Sequence, residues 1–409
     1  MRFMIALLAA ILFSGPAFAS CYTKSFTNEA DYIACVGVSP YTVAGSAVDG
    51  AATTGDPHSR YQWAMRQLFE GDSYSTHYAD APRDVIVAVF DNQGPGNAHA
   101  DLTGKILTGW NFVTATSVTT NTWDGLAPAS GNGHGLCLTS IIAANHDEIG
   151  MAGVFDRAKI LPVVTDLANL DEAIDYAVSE GAEVIDIGGW ATTYSGGVSV
   201  DEFYYYMNDL YVPYGSRKAF LLTSDRDLYS GYFRDIRRAL RDAERAGVAV
   251  VAPIGNTNGR AMQHFLASRS EVIAVSASNI NGEVSPFNSI NLSVQTFAPG
   301  GDRRTTSFPL TLPGDITAYD PISSNGDDPL CATGTNTYSF GAGSSFAHPY
   351  VAGAIAIIKS YQPTATTADV RCYLSKATNN PTPNMNVLQG VAGVLSLKKL
   401  RPLLNAACS

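Results

Sequence analysis

The sequence predicts an α/β fold with a central parallel sheet and helices on both faces. Three observations lead to it. From Asp84 onward short β-branched runs recur, amphipathic helical stretches stand between them, and the composition is that of a globular chain with a large core. Strand, helix, strand order forms parallel sheets, because a parallel return needs a crossover long enough to hold a helix. The 409 residues are 46% hydrophobic and 15% charged, with 37 glycines, which excludes a disordered or collagen-like chain.

The elements follow in order. Residues 1–19 have a basic start at Arg2, an apolar run from Phe3 to Phe13 and "AFA" before Ser20, the pattern of a cleavable secretory signal. That run is too short for an ordinary membrane span, and no second long apolar stretch follows. A soluble protein, secreted or periplasmic, is expected. "FASC", ending at Cys21, also resembles a bacterial lipoprotein box, so a lipid anchor at Cys21 is the alternative. Residues 20–82, with one helical stretch "RYQWAMRQLF", read as an N-terminal arm or short pro-segment outside the core. Residues 83–409 read as one domain, expected to be a monomer. Its strands are predicted at "VIVAVF" (85–90), "KILPVV" (159–164), "EVIDI" (183–187), "VAVVAP" (248–253) and "EVIAVSA" (271–277), with helices at "LDEAIDYAVSEG" and "FRDIRRALRDAERAG". Insertions are expected near 192–232, which is rich in tyrosine, and near 302–338.

Charge and cysteines narrow the class. The formal net charge is −11 with no basic run, so the chain lacks the electrostatic footprint of a nucleic-acid binder. The six cysteines suit an oxidising compartment, and no CxxC pair is present. The expected pairing joins Cys21 to Cys35, Cys137 to Cys331 and Cys372 to Cys408.

Parallel sheets place their sites at the carboxyl ends of the strands. Asp91 follows the first predicted strand there. A dinucleotide reading of "DNQGPGNAHAD" fails, because the third glycine is missing and the acid precedes the glycines. His134 stands in "GNGHGLCLTSIIAAN", at the start of a predicted buried helix; taken alone it reads as a packed or surface histidine. Asn256, in "VAPIGNTNG", alone reads as a turn residue. The adjacent Ser344 and Ser345 in "YSFGAGSSFAHPYVAGAIAII" offer either a helix cap or a nucleophile.

Taken together, "VAVFD…HAD", "GHGLCLTSIIAA", "VVAPIGN" and "GSSFAHPYVAG" resemble, in the same order, the motifs of the subtilisin-like serine proteases. The resemblance covers roughly residues 56 to 395 and implies a three-layer subtilisin-like fold. Carried over by position, it makes Asp91 the triad acid, His134 the base, Asn256 the oxyanion donor and Ser345 the nucleophile. Acid, base and nucleophile then run in the order Asp, His, Ser, whereas an α/β-hydrolase needs the serine first. The implied function is a secreted serine endopeptidase acting on polypeptides, with no cofactor needed for chemistry; a catalytically silent peptide-binding relative is the alternative. Gly188, Gly189, Trp190 and Gly255 are expected in the walls of the substrate cleft. Asp101 and Asp147 match places that feed a calcium site in some relatives, the plainer reading being two solvated loop acids. Pro349 is expected in the first turn of the nucleophile's helix, and His348 reads as structural. Departures from the family pattern are Asn92 and Gln93 after the acid, Leu136, Cys137 and Ser140 after the histidine, and Tyr350 near the serine.

Overall fold

The computed structural model describes residues 56–72, 74–91, 99–118, 133–188, 226–256, 266–289, 294–302, 316–318, 328–334, 336–379 and 393–408. The signal and lipid-box residues, Cys21, Cys35, Gly189, Trp190, Asn92, Gln93 and most of both expected insertions lie outside them.

The five predicted strands form, as β1 (Val85–Asp91), β4 (Ala158–Val164), β5 (Val184–Ile187), β6 (Ala249–Pro253) and β7 (Val272–Ser278). They are joined by β2 (Gly109–Asn111), β3 (Thr116–Val118), β8 (Val294–Pro299), β12 (Thr378–Asn379) and β13 (Val394–Leu395) in a ten-stranded sheet of order β12-β13-β8-β7-β6-β5-β1-β4-β2-β3. Every pairing is parallel except at the two edges, β2 with β3 and β12 with β13. β1 lies between β4 and β5, so the next two long strands of the chain fall on opposite sides of it. That reversal opens a crevice at the carboxyl end of β1, where Asp91 stands.

Strand residues alternate between two buried layers. Val85, Val87 and Val89 of β1, with Val184, Val251 and Val275, pack under helices α3 (His134–Ala143) and α6 (Ser344–Tyr361). Ala88 and Phe90, with Ile185 and Val250, face helices α4 (Leu170–Ser179) and α5 (Arg226–Arg245). Burial on both faces explains why these strands read as unbroken apolar runs. Helix α5 begins inside the expected tyrosine-rich insertion, since Gly231 is the one strong helix breaker in its first turns. Helix α6 is buried almost all round, because it packs on the sheet with α3 beside it. It starts at Ser344, so Pro349 falls beyond the first turn, a correction to the expected placement. The missing N–H there is the one that would ordinarily bond the Ser345 carbonyl.

A second correction concerns the arm. Its helices α1 (Trp63–Phe69) and α2 (Tyr74–Tyr78) are not outside the core: Trp63, Met65, Leu68, Phe69 and Tyr78 are buried in the main apolar cluster. Gln62 fixes the entry, its Nε2 donating to Ala152 O at 2.7 Å and its Oε1 accepting from Ala152 N–H at 2.9 Å. Tyr78 Oη–H donates to Leu397 O at the start of α8 (Leu397–Leu403).

Within the second expected insertion and just beyond it, β9 (Ile316–Ala318), β10 (Leu330–Gly334) and β11 (Thr337–Phe340) form a small sheet of order β10-β11-β9. β10 docks on α3 through the disulfide Cys137–Cys331 and through Ser140 Oγ, which accepts from Ala332 N–H at 3.0 Å. Two departures from the family pattern thus serve one contact. The disulfide Cys372–Cys408 ties α7 (Thr367–Lys376) to the C-terminal residues. Both bridges are the expected ones.

Candidate active site

Asp91 ends β1, 1% exposed, and His134 opens α3, 3% exposed. His134 Nδ1 and Asp91 Oδ2 are 2.6 Å apart. A carboxylate on Nδ1 fixes the imidazole with its proton on that side, leaving Nε2 as the basic atom aimed away from the acid. Behind the acid stands Gly188. Its N–H donates to Phe90 O at 2.8 Å, and a Cβ built on it would lie 2.5 Å from Asp91 Oδ2. Gly188 is therefore backing for the acid, buried beneath it, and not part of an open cleft wall as expected.

The N-terminus of α6 brings the serines to the same place. Phe346, next to Ser345, sets its ring edge-on to the His134 imidazole, with centroids 6.2 Å apart. Ser344 is 1% exposed, whereas Ser345 is partly open to solvent. Burial thus separates two residues that the sequence leaves chemically alike. Gly341 leaves room for the Phe346 ring, since a Cβ there would lie 2.3 Å from its Cζ.

Asn256 reaches the same helix end from the turn after β6. Its Oδ1 accepts from Ser344 N–H at 2.8 Å, which leaves Nδ2 as the outward donor. A Cβ on Gly343 would stand 3.3 Å from that Nδ2, so a glycine here keeps the amide uncrowded. Gly255, with φ +96°, makes the turn that delivers Asn256, and it is half-buried. Asp91, His134, Ser345 and Asn256 come from β1, α3, α6 and the β6 turn, and they converge at the carboxyl edge of the sheet.

Asp101 and Asp147 lie elsewhere. Asp101 is fully buried, not solvated; its Oδ2 accepts from Met151 N–H and its Oδ1 from Tyr338 Oη–H, both at 2.9 Å. Burial pushes its carboxyl up to about 7, against those hydrogen bonds and with help from the nearby Asp56 and Asp147. Asp147 Oδ1 accepts from Ile149 N–H at 3.2 Å. Among the described residues no group of three or more acidic, histidine or cysteine side chains is placed to hold a metal ion.

One pair was legible only in part. His348, expected to be structural, has a partner in Asp186 to which its own segment does not point: His348 Nδ1 lies 2.6 Å from Asp186 Oδ1, both side chains wholly buried. The signal was an acid inside the apolar strand "VIDI".

Comparison with known proteins agrees with this geometry. The Subtilase family profile matches residues 82–392. Subtilisin DY of Bacillus licheniformis is 27% identical over 300 residues, spanning 73% of this chain and 84% of that protein. Thermitase of Thermoactinomyces vulgaris is 26% identical over 282 residues, 67% of this chain and 74% of its own. Among solved structures, a protease from Pseudoalteromonas arctica superposes with a TM-score of 0.60 at 19% identity, over 86% of this chain and 100% of that one, a likeness of fold. With the family profile spanning most of its length and the fold shared, the chain belongs to the subtilase family of serine endopeptidases.

Proposed function

We propose that the chain is a secreted endopeptidase that cleaves polypeptides through an acyl-enzyme on Ser345. One observation carries the reading: the buried Asp91–His134 pair, 2.6 Å apart, faces a helix start at which Ser345 is accessible and Ser344 is not. A neutral serine hydroxyl is a weak nucleophile and needs a base in reach. His134 Nε2 takes the Ser345 proton as Oγ attacks the scissile carbonyl, forming the Oγ–C bond of a tetrahedral intermediate. The same proton then passes to the leaving amine as the C–N bond breaks. Water repeats the sequence, giving its proton to His134 while its oxygen attacks the acyl carbon, and Ser345 leaves with that proton returned. Asp91 holds the imidazole in the useful tautomer and stabilises the imidazolium without becoming protonated.

The negative charge that develops on the carbonyl oxygen needs donors already in place. Asn256 Nδ2 and the Ser345 N–H at the start of α6 fill that role, the helix end adding its partial positive charge. Two disulfides among the described residues, with the signal pattern at residues 1–19, support secretion. The signal itself lies outside the described residues.

Labelling the purified protein with a phosphonylating serine-hydrolase probe, followed by peptide mapping, tests the reading. Modification at Ser345 that disappears in His134→Ala is the expected result. A folded wild-type protein that takes up no probe would refute it.

A further inference from the structure

Asp186 occupies a place that an acid seldom holds. It sits in β5, opposite Val89 of β1 and Val251 of β6, inside a parallel sheet covered on both faces. A carboxylate there has no water to turn to and must be met by protein. His348 meets it through the 2.6 Å contact, both side chains having no exposed surface.

The two ends of this contact lie beside the catalytic groups. His348 is on α6, one turn past Ser345, and Asp186 stands two residues before Gly188, which backs the Asp91 carboxylate. Strand β5 therefore holds the acid with one residue and the nucleophile's helix with another. Much of what α6 offers the sheet is aliphatic, as with Val351 and Ile355. Such packing is non-directional, whereas a hydrogen bond fixes distance and angle. Pro349 removes the N–H that would hold the Ser345 carbonyl within the helix, so the first turn depends more on anchors outside it. The bond from Ser344 N–H to Asn256 is one such anchor, that from Gly343 N–H to Gly300 O at 2.9 Å is a second, and the Asp186 contact is a third.

We infer that Asp186 and His348 are a positioning pair for the reaction: they set where the first turn of α6 stands relative to the Asp91–His134 pair and Asn256. Neither residue touches substrate. A displacement of the reacting atoms by about 1 Å costs on the order of 100-fold in rate. Loosening this tie is therefore expected to lower kcat about 10- to 100-fold while KM stays within about twofold.

The inference rests on the reading of Ser345 as nucleophile, and the experiment separates the two. Wild type, Asp186→Ala, His348→Ala and Asp186→Asn are compared for kcat, KM, melting temperature and the rate of phosphonylation at Ser345. Asparagine keeps an Oδ1 acceptor for the His348 Nδ1–H, so Asp186→Asn is expected within about threefold of wild-type kcat. Both alanine variants should lose kcat and label more slowly in parallel. A pair that serves stability alone would lower the melting temperature and leave kcat of the folded enzyme unchanged, which overturns the proposal. An asparagine variant as impaired as the alanine one overturns it too, since charge and not position would then be what the pair supplies. Should Asp186→Ala fail to fold, Asp186→Asn combined with His348→Ala leaves no buried carboxylate and carries the same expected loss. Wild-type protein that does not label refutes the nucleophile itself; labelling at equal rates in all variants refutes only the positioning pair.

Discussion

Ser344 and Ser345 differ by one position and by most of their chemistry, because one is sealed beneath the helix start and the other opens to the crevice. Ser345→Ala or His134→Ala should lower kcat by about 10⁴- to 10⁶-fold with the far-ultraviolet spectrum intact, while Ser344→Ala changes kcat less than about threefold in a steady-state peptide assay. Asn256→Ala is expected to cost about 10²- to 10³-fold in kcat, a loss of the size known for the equivalent donor of a subtilisin, with KM nearly unchanged. Gly188→Ala places a methyl within 2.5 Å of Asp91 Oδ2, so activity should fall at least about tenfold as the acid turns away from His134. The convergence of Asp91, His134, Ser345 and Asn256, the proposed acid, base, nucleophile and amide, was legible because each ends or begins an element that the sequence shows plainly. The part played by Gly188 was not, since it depends on β5 lying beside β1, a neighbour relation between residues far apart in the chain.

Helix α3 carries the base at its first residue and its disulfide cysteine one turn later, so the element that offers His134 is braced by β10. Leu136, Cys137 and Ser140 depart from the family pattern on this helix; the latter two are accounted for by that brace, and Leu136 packs in the core. Helix α7 begins with a reciprocal cap: Thr366 Oγ1 accepts from Asp369 N–H at 3.2 Å, and Asp369 Oδ2 accepts from Thr366 N–H at 2.8 Å. Thr366→Ala should therefore cost about 1 kcal/mol, read as a lowered urea midpoint with the slope unchanged. The five predicted strands and the amphipathic helices α4 and α5 were readable because their apolar character persists over several residues. The strands β2, β3, β12 and β13 were not, being two or three residues long with no period to show.

At the scale of the whole molecule, the helices α1 and α2 are more deeply built in than their sequence suggests. The stretch "RYQWAMRQLF" looked like an arm because small polar residues precede it, yet its tryptophan, methionine and phenylalanine close the core beside α8. The two bridges differ in access: Cys137 and Cys331 have no exposed surface, while Cys372 and Cys408 are partly open. Mild reductant on the native protein should open Cys372–Cys408 first, as mass mapping after alkylation would show, with Cys137–Cys331 resisting until the protein unfolds. Replacing Cys137 and Cys331 together by alanine should cost about 2–5 kcal/mol in a denaturant titration. That buried bridge also sets a timetable. Its cysteines are 194 residues apart, and the second is made shortly before Ser345, so a chain emerging from its N-terminus carries the base long before it carries either the clasp that braces the base or the hydroxyl that the base serves. On the proposed mechanism, an unfinished chain has no means of cutting its neighbours or itself until that closing stretch arrives.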